Sequence, residues 1–288
     1  MDVDSARAAA FAQQQPERLR NLEQQTVATA TRPLAAAIAA AQDAAVARWI
    51  RETVSTKIPE RLDALVDWVR QLLQQAFTGK GRQAQRAAEQ AAFTAALQGI
   101  QHSSKLDAAM RGQATPPVTP AIGDEAQAAA DAIPAAVEEE HGHALALLTA
   151  AGLTAMGLAG LHSVFSRARR AVGRIARATA VAIGSAAANA ARLAARAIGP
   201  GVRLLWVTEP GACAACRAYA GRHIRPGGQF PGGLTLDPKR AVFPTPIPGP
   251  PRHFHCRCAL VPWSPAWPVT GTPLPTLLRQ RASTRRTA

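Results

Sequence analysis

All four cysteines of the chain fall in two close pairs, Cys213-Ala-Ala-Cys216 and Cys256-Arg-Cys258, and His253 and His255 stand just ahead of the second pair. Thiolate sulfur and imidazole nitrogen are the donors that zinc takes in a tetrahedral, four-coordinate site. Cys-x-x-Cys is the usual first half of such a site. The second half, His-x-x-Cys-x-Cys, is tighter, because a single residue between two cysteines makes simultaneous chelation harder. The expected cofactor is therefore a structural zinc ion held by Cys213, Cys216, Cys256 and Cys258. His253 is the alternative fourth ligand, and His255 a weaker substitute.

Two other uses of the thiols stay open. A thioredoxin-like redox pair wants its Cys-x-x-Cys at the start of a helix after a strand, whereas Glu209-Pro210-Gly211-Ala212 reads as a turn. Structural disulfides need an oxidising compartment. The first residues, MDVDSARAAAFAQQQPERLR, lack an apolar core region, so no cleavable secretory signal is expected.

The same residues carry a family resemblance. Trp206-Val207-Thr208, Cys213-x-x-Cys216, Gly221, a long Pro/Gly-rich stretch and Pro250-Pro251-Arg252-His253-Phe254-His255-Cys256-Arg257-Cys258 follow one another in order. Over roughly residues 175–263 this resembles the C-terminal domain of Mu F-like minor head proteins of tailed bacteriophages, which ends in Pro-Pro-x-His-Pro-x-Cys-Arg-Cys. Phe254 stands where that signature has proline. The helix that relatives often furnish with an acidic residue, here Ala178 to Ala197, has none. The resemblance implies a head-morphogenesis protein built into the procapsid near the portal. Its partners would be portal and capsid or scaffold proteins, its location the virion head interior after a stage in the host cytoplasm, and packaged double-stranded DNA a further contact. A membrane is not an expected partner.

Charge supports a polyanion contact. The formal net charge is +14, and residues 151–288 carry 19 Lys/Arg against 2 Asp/Glu. Excess cationic charge attracts nucleic acid through counterion release, although it equally serves as a solubilising surface. On a long helix expected over Ser163–Ile198, Val164, Ala168, Val172, Ile175, Ala182, Ala186 and Leu193 share one side. Arg167, Arg170, Arg174, Arg177 and Arg192 lie largely opposite. Arg167, Arg170, Arg174 and Arg177 are the candidate nucleic-acid contacts.

The elements that must position these residues are mostly helices. The fold class expected is mainly α: an Ala-rich helical N-terminal region with long helices, plus a small C-terminal α+β zinc-stabilised module with short strands and Pro/Gly-rich loops. Residues 5–31 read as one helix, and Pro33 begins a second running to about Thr56. From Pro59, Leu62, Leu65, Val66, Val69, Leu72, Leu73 and Phe77 form one apolar stripe, closed by Gly79 and Gly81. Gln83–Met110 forms another helix. Gln113–Gly123, with three prolines, marks a linker. A short helix over Asp124–Ile133 follows, then one from Pro134 led by Glu138, Glu139 and Glu140 as a solvated helix start.

Ala144–Leu161 is 18 residues without charge, containing six leucines, six alanines and three glycines. As one helix it would reach about 27 Å, close to a bilayer's hydrocarbon thickness. Its weak apolar content favours a buried helix over a span. Gly199-Pro200-Gly201 stops the basic helix, and Val202–Val207 reads as a strand. Arg217–His255 is too poor in apolar residues to form its own core. Residues 264–288 read as an extended basic tail including Arg279, Arg281, Arg285 and Arg286.

The expected segments are thus 1–112 (helical), 113–123 (linker), 124–200 (helical, apolar then basic), 201–263 (cysteine-rich module) and 264–288 (basic flexible tail). Phosphate-loop, dinucleotide-binding and His-Glu-x-x-His signatures are missing from the sequence. Glu209 and Asp237, the only acids after residue 150, suit turn-capping or solvation. No enzyme is expected. The rival readings are a regulatory DNA-binding zinc module and a membrane-active protein using residues 144–161.

Overall fold

The structure, a computed structural model, describes residues 3–53, 58–239, 243–254 and 256–283. It is mainly helical, with a small sheet in its C-terminal part, as the sequence pattern requires. The elements in order are β1 (Val3–Asp4), α1 (Ser5–Thr53), α2 (Ile58–Phe77), α3 (Lys80–Arg111), α4 (Asp124–Leu147), α5 (Ala150–Met156), α6 (Leu158–Ala168) and α7 (Arg170–Ile198). They continue with β2 (Arg203–Val207), α8 (Ala214–Arg217), β3 (His223–Ile224), β4 (Ala259–Trp263), β5 (Val269–Thr270) and α9 (Leu274–Ser283).

The chain folds into two compact units, each assembled from separate stretches of sequence. One comprises 1–25, 89–128 and 180–288; the other comprises 26–88 and 129–179. Four helices are long enough to contribute residues to both.

The second unit is a helical core of periodic apolar stripes. On α2, Leu62, Leu65, Val66, Val69, Leu73 and Phe77 are buried as the spacing demands, against Leu34, Ile38, Ile133, Val137, Leu148 and Phe165. The expected helix boundary at Pro33 is corrected. Pro33 removes one backbone donor at a cost of about 3 kcal/mol in a helix interior. Burial of Ala30, Leu34, Ile38, Ala41 and Ala45 along one stripe outweighs that cost, and α1 runs through it. Pro134 likewise lies inside α4 rather than opening a helix. Its ring is received by Gly81, where a Cβ would stand 3.0 Å from the Pro134 Cα.

The apolar stretch 144–161 does not form one helix. α4 ends at Leu147, Thr149 caps α5 by accepting from the Gly152 N–H at 3.0 Å, and Gly157 at φ +58° turns the chain into α6. Leu148, Leu153 and Leu161 are buried in the same core. Among the described residues, no helix is long and apolar enough to cross a membrane. The single helix expected over Ser163–Ile198 is also corrected, being interrupted at Arg169, where the Val172 N–H reaches back to the Arg169 carbonyl at 3.1 Å.

The first unit is built around a three-stranded antiparallel sheet in the order β3-β2-β4. β2 reads Arg-Leu-Leu-Trp-Val because both of its faces are covered. Leu204 and Trp206 meet Ala188, Ala191 and Ala195 of α7, while Leu205 and Val207 meet Ala8 and Ala12 of α1, Leu106 and Met110 of α3, and Leu274 and Leu278 of α9. The stretch 113–123 has no helix or strand. Thr115 Oγ1 donates to Asp107 at 2.8 Å, and Asn189 donates to the Ala121 carbonyl at 3.0 Å.

The extended tail is corrected over 264–283. β5 pairs in parallel with β1, and α9 buries Leu274 and Leu278, which drive it onto the unit. Arg281 donates to Gln13 at 2.7 Å. Arg285 and Arg286 lie outside the described residues.

Candidate metal centre

Two loops bring the cysteines together. β2 ends at Val207, and the turn after it makes Cys213 the N-cap of α8. The Cys213 sulfur accepts the Cys216 N–H at 3.4 Å, so both thiols of the first pair project from one helical turn. The second loop folds back through the Cys256 N–H, which donates to the His253 carbonyl at 2.9 Å, and β4 begins directly after Cys258. β2 and β4 pair from Arg203↔Trp263 to Val207↔Ala259. One ladder therefore delivers both loops to the same end of the sheet.

There, His253 Nε2 lies 3.3 Å from Cys213 Sγ and 3.2 Å from Cys216 Sγ, and Cys216 Sγ lies 3.6 Å from Cys256 Sγ. The donors form two overlapping triads, Cys213–Cys216–His253 and Cys216–Cys256–Cys258, with every ligand atom of a triad within 4.8 Å of the others. Cys216 belongs to both. Zinc–sulfur bonds of about 2.3 Å and zinc–nitrogen bonds of about 2.0–2.1 Å place tetrahedral neighbours about 3.5–3.8 Å apart. The observed spacings are within a few tenths of an ångström of that, and the cluster is close enough to bind a metal. All four cysteines are free thiols, with no disulfide among them. His255 lies outside the described residues.

Crowding polarises the cluster. Hydrogen bonding from Cys216, then from His253, draws the Cys213 thiol down from 9.0 to about 4. Cys256 is held well below the usual thiol range, first by Cys216 and then by Cys258. Cys216 is pushed up by the sulfurs around it, Cys213 first. Burial, chiefly, and Cys256 push Cys258 up, while Cys216 and, least, the Trp206 indole lower it. That indole N–H is buried and has no hydrogen-bond partner of ordinary geometry. His253 is raised, chiefly by its bond to Cys213. Two of the four thiols, Cys213 and Cys256, are thus lowered toward the thiolate form in which sulfur binds a divalent cation.

Residues the sequence did not mark hold the loops in place. On α1, Arg20 pairs with Glu209, ahead of the first cysteines, and Glu23 accepts from Arg257 at 3.0 and 3.4 Å, between the second cysteines. Glu209 is thus an ion-pair partner, beyond the turn-capping role expected for it; Asp237 does cap, accepting the Lys239 N–H at 3.1 Å. The only signal for the Arg20 and Glu23 contacts was their i,i+3 spacing with opposite charges, a pattern common on solvated helices.

Arg252, nearly buried, donates to the Thr245 and Phe243 carbonyls, and its guanidinium lies 5.5 Å from the Tyr219 ring centroid. The Arg217–His255 stretch, expected to lack a core, contributes Tyr219 and Phe230 to one. Both rings are fully buried against Trp206, with centroids 4.9 and 5.0 Å from it. Tyr219 closes the loop by donating to the Pro231 carbonyl at 2.6 Å. Gly221 links β2 to β3 at φ +69°, with its would-be Cβ 1.9 Å from the Pro275 carbonyl oxygen; only glycine fits.

The four arginines proposed for nucleic acid are not one open face. Arg174 pairs with Glu139 and Glu140, each at 3.0 Å, and Arg167 lies 3.1 Å from Glu140 and bonds His143. The Arg167–Glu140 contact is electrostatic rather than an aligned hydrogen bond. The acidic run lies well inside α4 rather than at a helix start; Glu138 and Glu139 are exposed, whereas Glu140 is buried beside Arg167 of α6 and Arg174 of α7. Arg170 and Arg177 are exposed on α7.

No family model, curated protein or solved structure matches this chain.

Proposed function

We propose that the cluster holds one structural zinc ion, and that the protein is a minor head protein of a tailed phage, acting in procapsid assembly near the portal. The observation that supports this reading is the convergence of Cys213-x-x-Cys216 with the Pro-Pro-x-His-x-x-Cys-Arg-Cys loop on one end of a short antiparallel sheet. Soft sulfur donors with one imidazole favour zinc over hard, oxygen-seeking cations. Cys213, Cys216, Cys256 and His253 would hold the ion, because they are linked by the 3.2–3.6 Å separations.

In this reading the ion is a clasp. It closes the loop from Arg217 to His255 and supplies folding free energy to a segment in which only a few aromatics are buried. The chain's own groups set the geometry: Glu23 and Arg20 hold the two arms, Trp206 underlies Cys258, and Arg252 fixes the proline-rich return. The reading assigns no catalytic step to the protein.

Elemental analysis of protein purified under reducing conditions should give about one zinc per chain. Cys258→Ala should retain the ion and Cys256→Ser should lose it. Full occupancy after Cys256→Ser would reject this ligand set, and metal-free protein with protected amides across 202–262 would reject the clasp itself. For the assembly role, the protein should occur in purified particles, and already in DNA-free proheads, at low stoichiometry to the major capsid protein. Absence from both, with normal expression, would refute it.

A further inference from the structure

The cluster has one donor more than a tetrahedral ion takes. With Cys213, Cys216, Cys256 and His253 assigned, the Cys258 thiol is left over, 2% exposed and within 4.8 Å of both Cys216 and Cys256. The five donors fall into two groups of three that share Cys216, and among the described residues no four of them lie within 4.8 Å of one another. Two ligands held about 2.3 Å from the same ion are never more than about 4.6 Å apart. A single ion must therefore draw the two loops together to gain its fourth ligand, whereas each triad is close to that limit as it stands.

The triad Cys216–Cys256–Cys258 sets narrow terms for an occupant. All three thiols are buried, and no further His, Cys, Asp or Glu among the described residues joins them, so neither water nor a side chain is at hand as a fourth ligand. Zinc in a structural site wants four. Copper(I), a monovalent d10 ion, is satisfied by three, and thiolate is the ligand that selects it. The triad Cys213–Cys216–His253 offers the same number, with two sulfurs and an imidazole nitrogen, both of which copper accepts. A thiolate sulfur has lone pairs enough to join two ions, which is the part the shared Cys216 can play. Trp206 meets the needs of a metal-bound Cys258: its indole N–H is buried, has no hydrogen-bond partner of ordinary geometry, and is near enough to act on that sulfur.

We propose that the cluster is a two-ion copper(I)–thiolate site, with one ion on Cys213, Cys216 and His253, a second on Cys216, Cys256 and Cys258, and the Cys216 sulfur bridging them. The inference rests on the donor cluster of the preceding reading and not on its choice of zinc. Copper stays monovalent throughout. Each thiol gives up its proton to the buffer on binding, or has already done so on zinc.

The test is an anaerobic titration of the purified full chain with copper(I), in which bound copper is read against a chromophoric copper(I) chelator and released zinc by a second chelator. The chain should take up two copper(I) ions and release any zinc it carried. Cys258→Ala should take up one, while its zinc content, measured on a separate sample, equals that of the unaltered chain. Cys213→Ser, at the exposed thiol, should also take up one, now in the buried triad, so a folding defect at Cys258 cannot decide the outcome. X-ray absorption of the two-copper chain should show a copper neighbour at short range that both variants lack. Uptake of a single ion by the unaltered chain, or of two by Cys258→Ala, would overturn the proposal. A chain purified without zinc that still binds two copper(I) ions would end the zinc reading and keep this one; a zinc-loaded chain that refuses copper(I) would do the reverse.

Discussion

The two units solve the problem of a chain with 5% aromatic residues in different ways. The unit made of 26–88 and 129–179 repeats leucine, valine and isoleucine at helical spacing and buries them in one continuous core. Its charges, Glu139 and Glu140 with Arg167 and Arg174, neutralise one another. In the other unit, alanines of α7 lie flat against a small sheet, and three aromatic rings and five metal-type donors replace the missing bulk. Periodic burial is spread over many residues and degrades gradually, whereas a four-ligand metal site fails when one of its ligands is lost. The first unit should therefore be fragile at single points and the second tolerant.

The largest effect should come from Cys216→Ser, since Cys216 belongs to both donor triads. Metal-linked folding energies are on the order of 10 kcal/mol, so the variant should lose its metal and expose backbone amides across 202–262. Hydrogen exchange should show the helices of the other unit still protected. Simultaneous unfolding of both units would erase the contrast.

Leu73→Ala, at a fully buried position of α2, should destabilise its unit by about 2–5 kcal/mol. Metal stoichiometry should not change. A denaturation series read by metal release and by far-ultraviolet circular dichroism would separate the two responses.

A pH effect of about 3 kcal/mol should be confined to the first unit. His102 is buried, stacked on Phe11 at 4.9 Å, and neither ring nitrogen has a partner. Burial, with Arg18 and Lys105 adding to it, lowers its pKa from 6.5 to about 4. Between these values the unfolded chain binds a proton that the folded one refuses, so stability is intact above pH 6.5 and falls as pH drops toward 4. His102→Phe should flatten that part of the stability profile; an identical profile in the variant would refute the assignment.

The smallest effect is expected at the clamp on α1. A double-mutant cycle on Glu23→Ala and Arg257→Ala should give a coupling of about 1 kcal/mol, as partly exposed ion pairs do. It should leave metal content at one ion per chain, because the pair orients the loop without supplying a donor. A coupling near zero would mean that the ladder between β2 and β4 alone sets the loop.

The stripe on α2, the strand at 203–207 and the paired cysteines were legible because each rests on local spacing: 3.6-residue periodicity, a doubly covered apolar run, and donors one or two residues apart. Proline misled the reading at Pro33 and Pro134, where burial of flanking residues outweighs one lost hydrogen bond and no local signal reports that burial. Leu274 and Leu278 were too few to announce α9; they matter because β5 pairs with β1 and brings them to the core. The pairing of Arg167 and Arg174 with Glu139 and Glu140, and of Arg257 with Glu23, joins residues 27 to 234 positions apart. Sequence by itself determined which residues can bind metal, bury apolar surface or carry charge. Tertiary structure alone decided which charges are spent on one another and which stay open to a partner, because Coulomb attraction depends on distance in space and not along the chain.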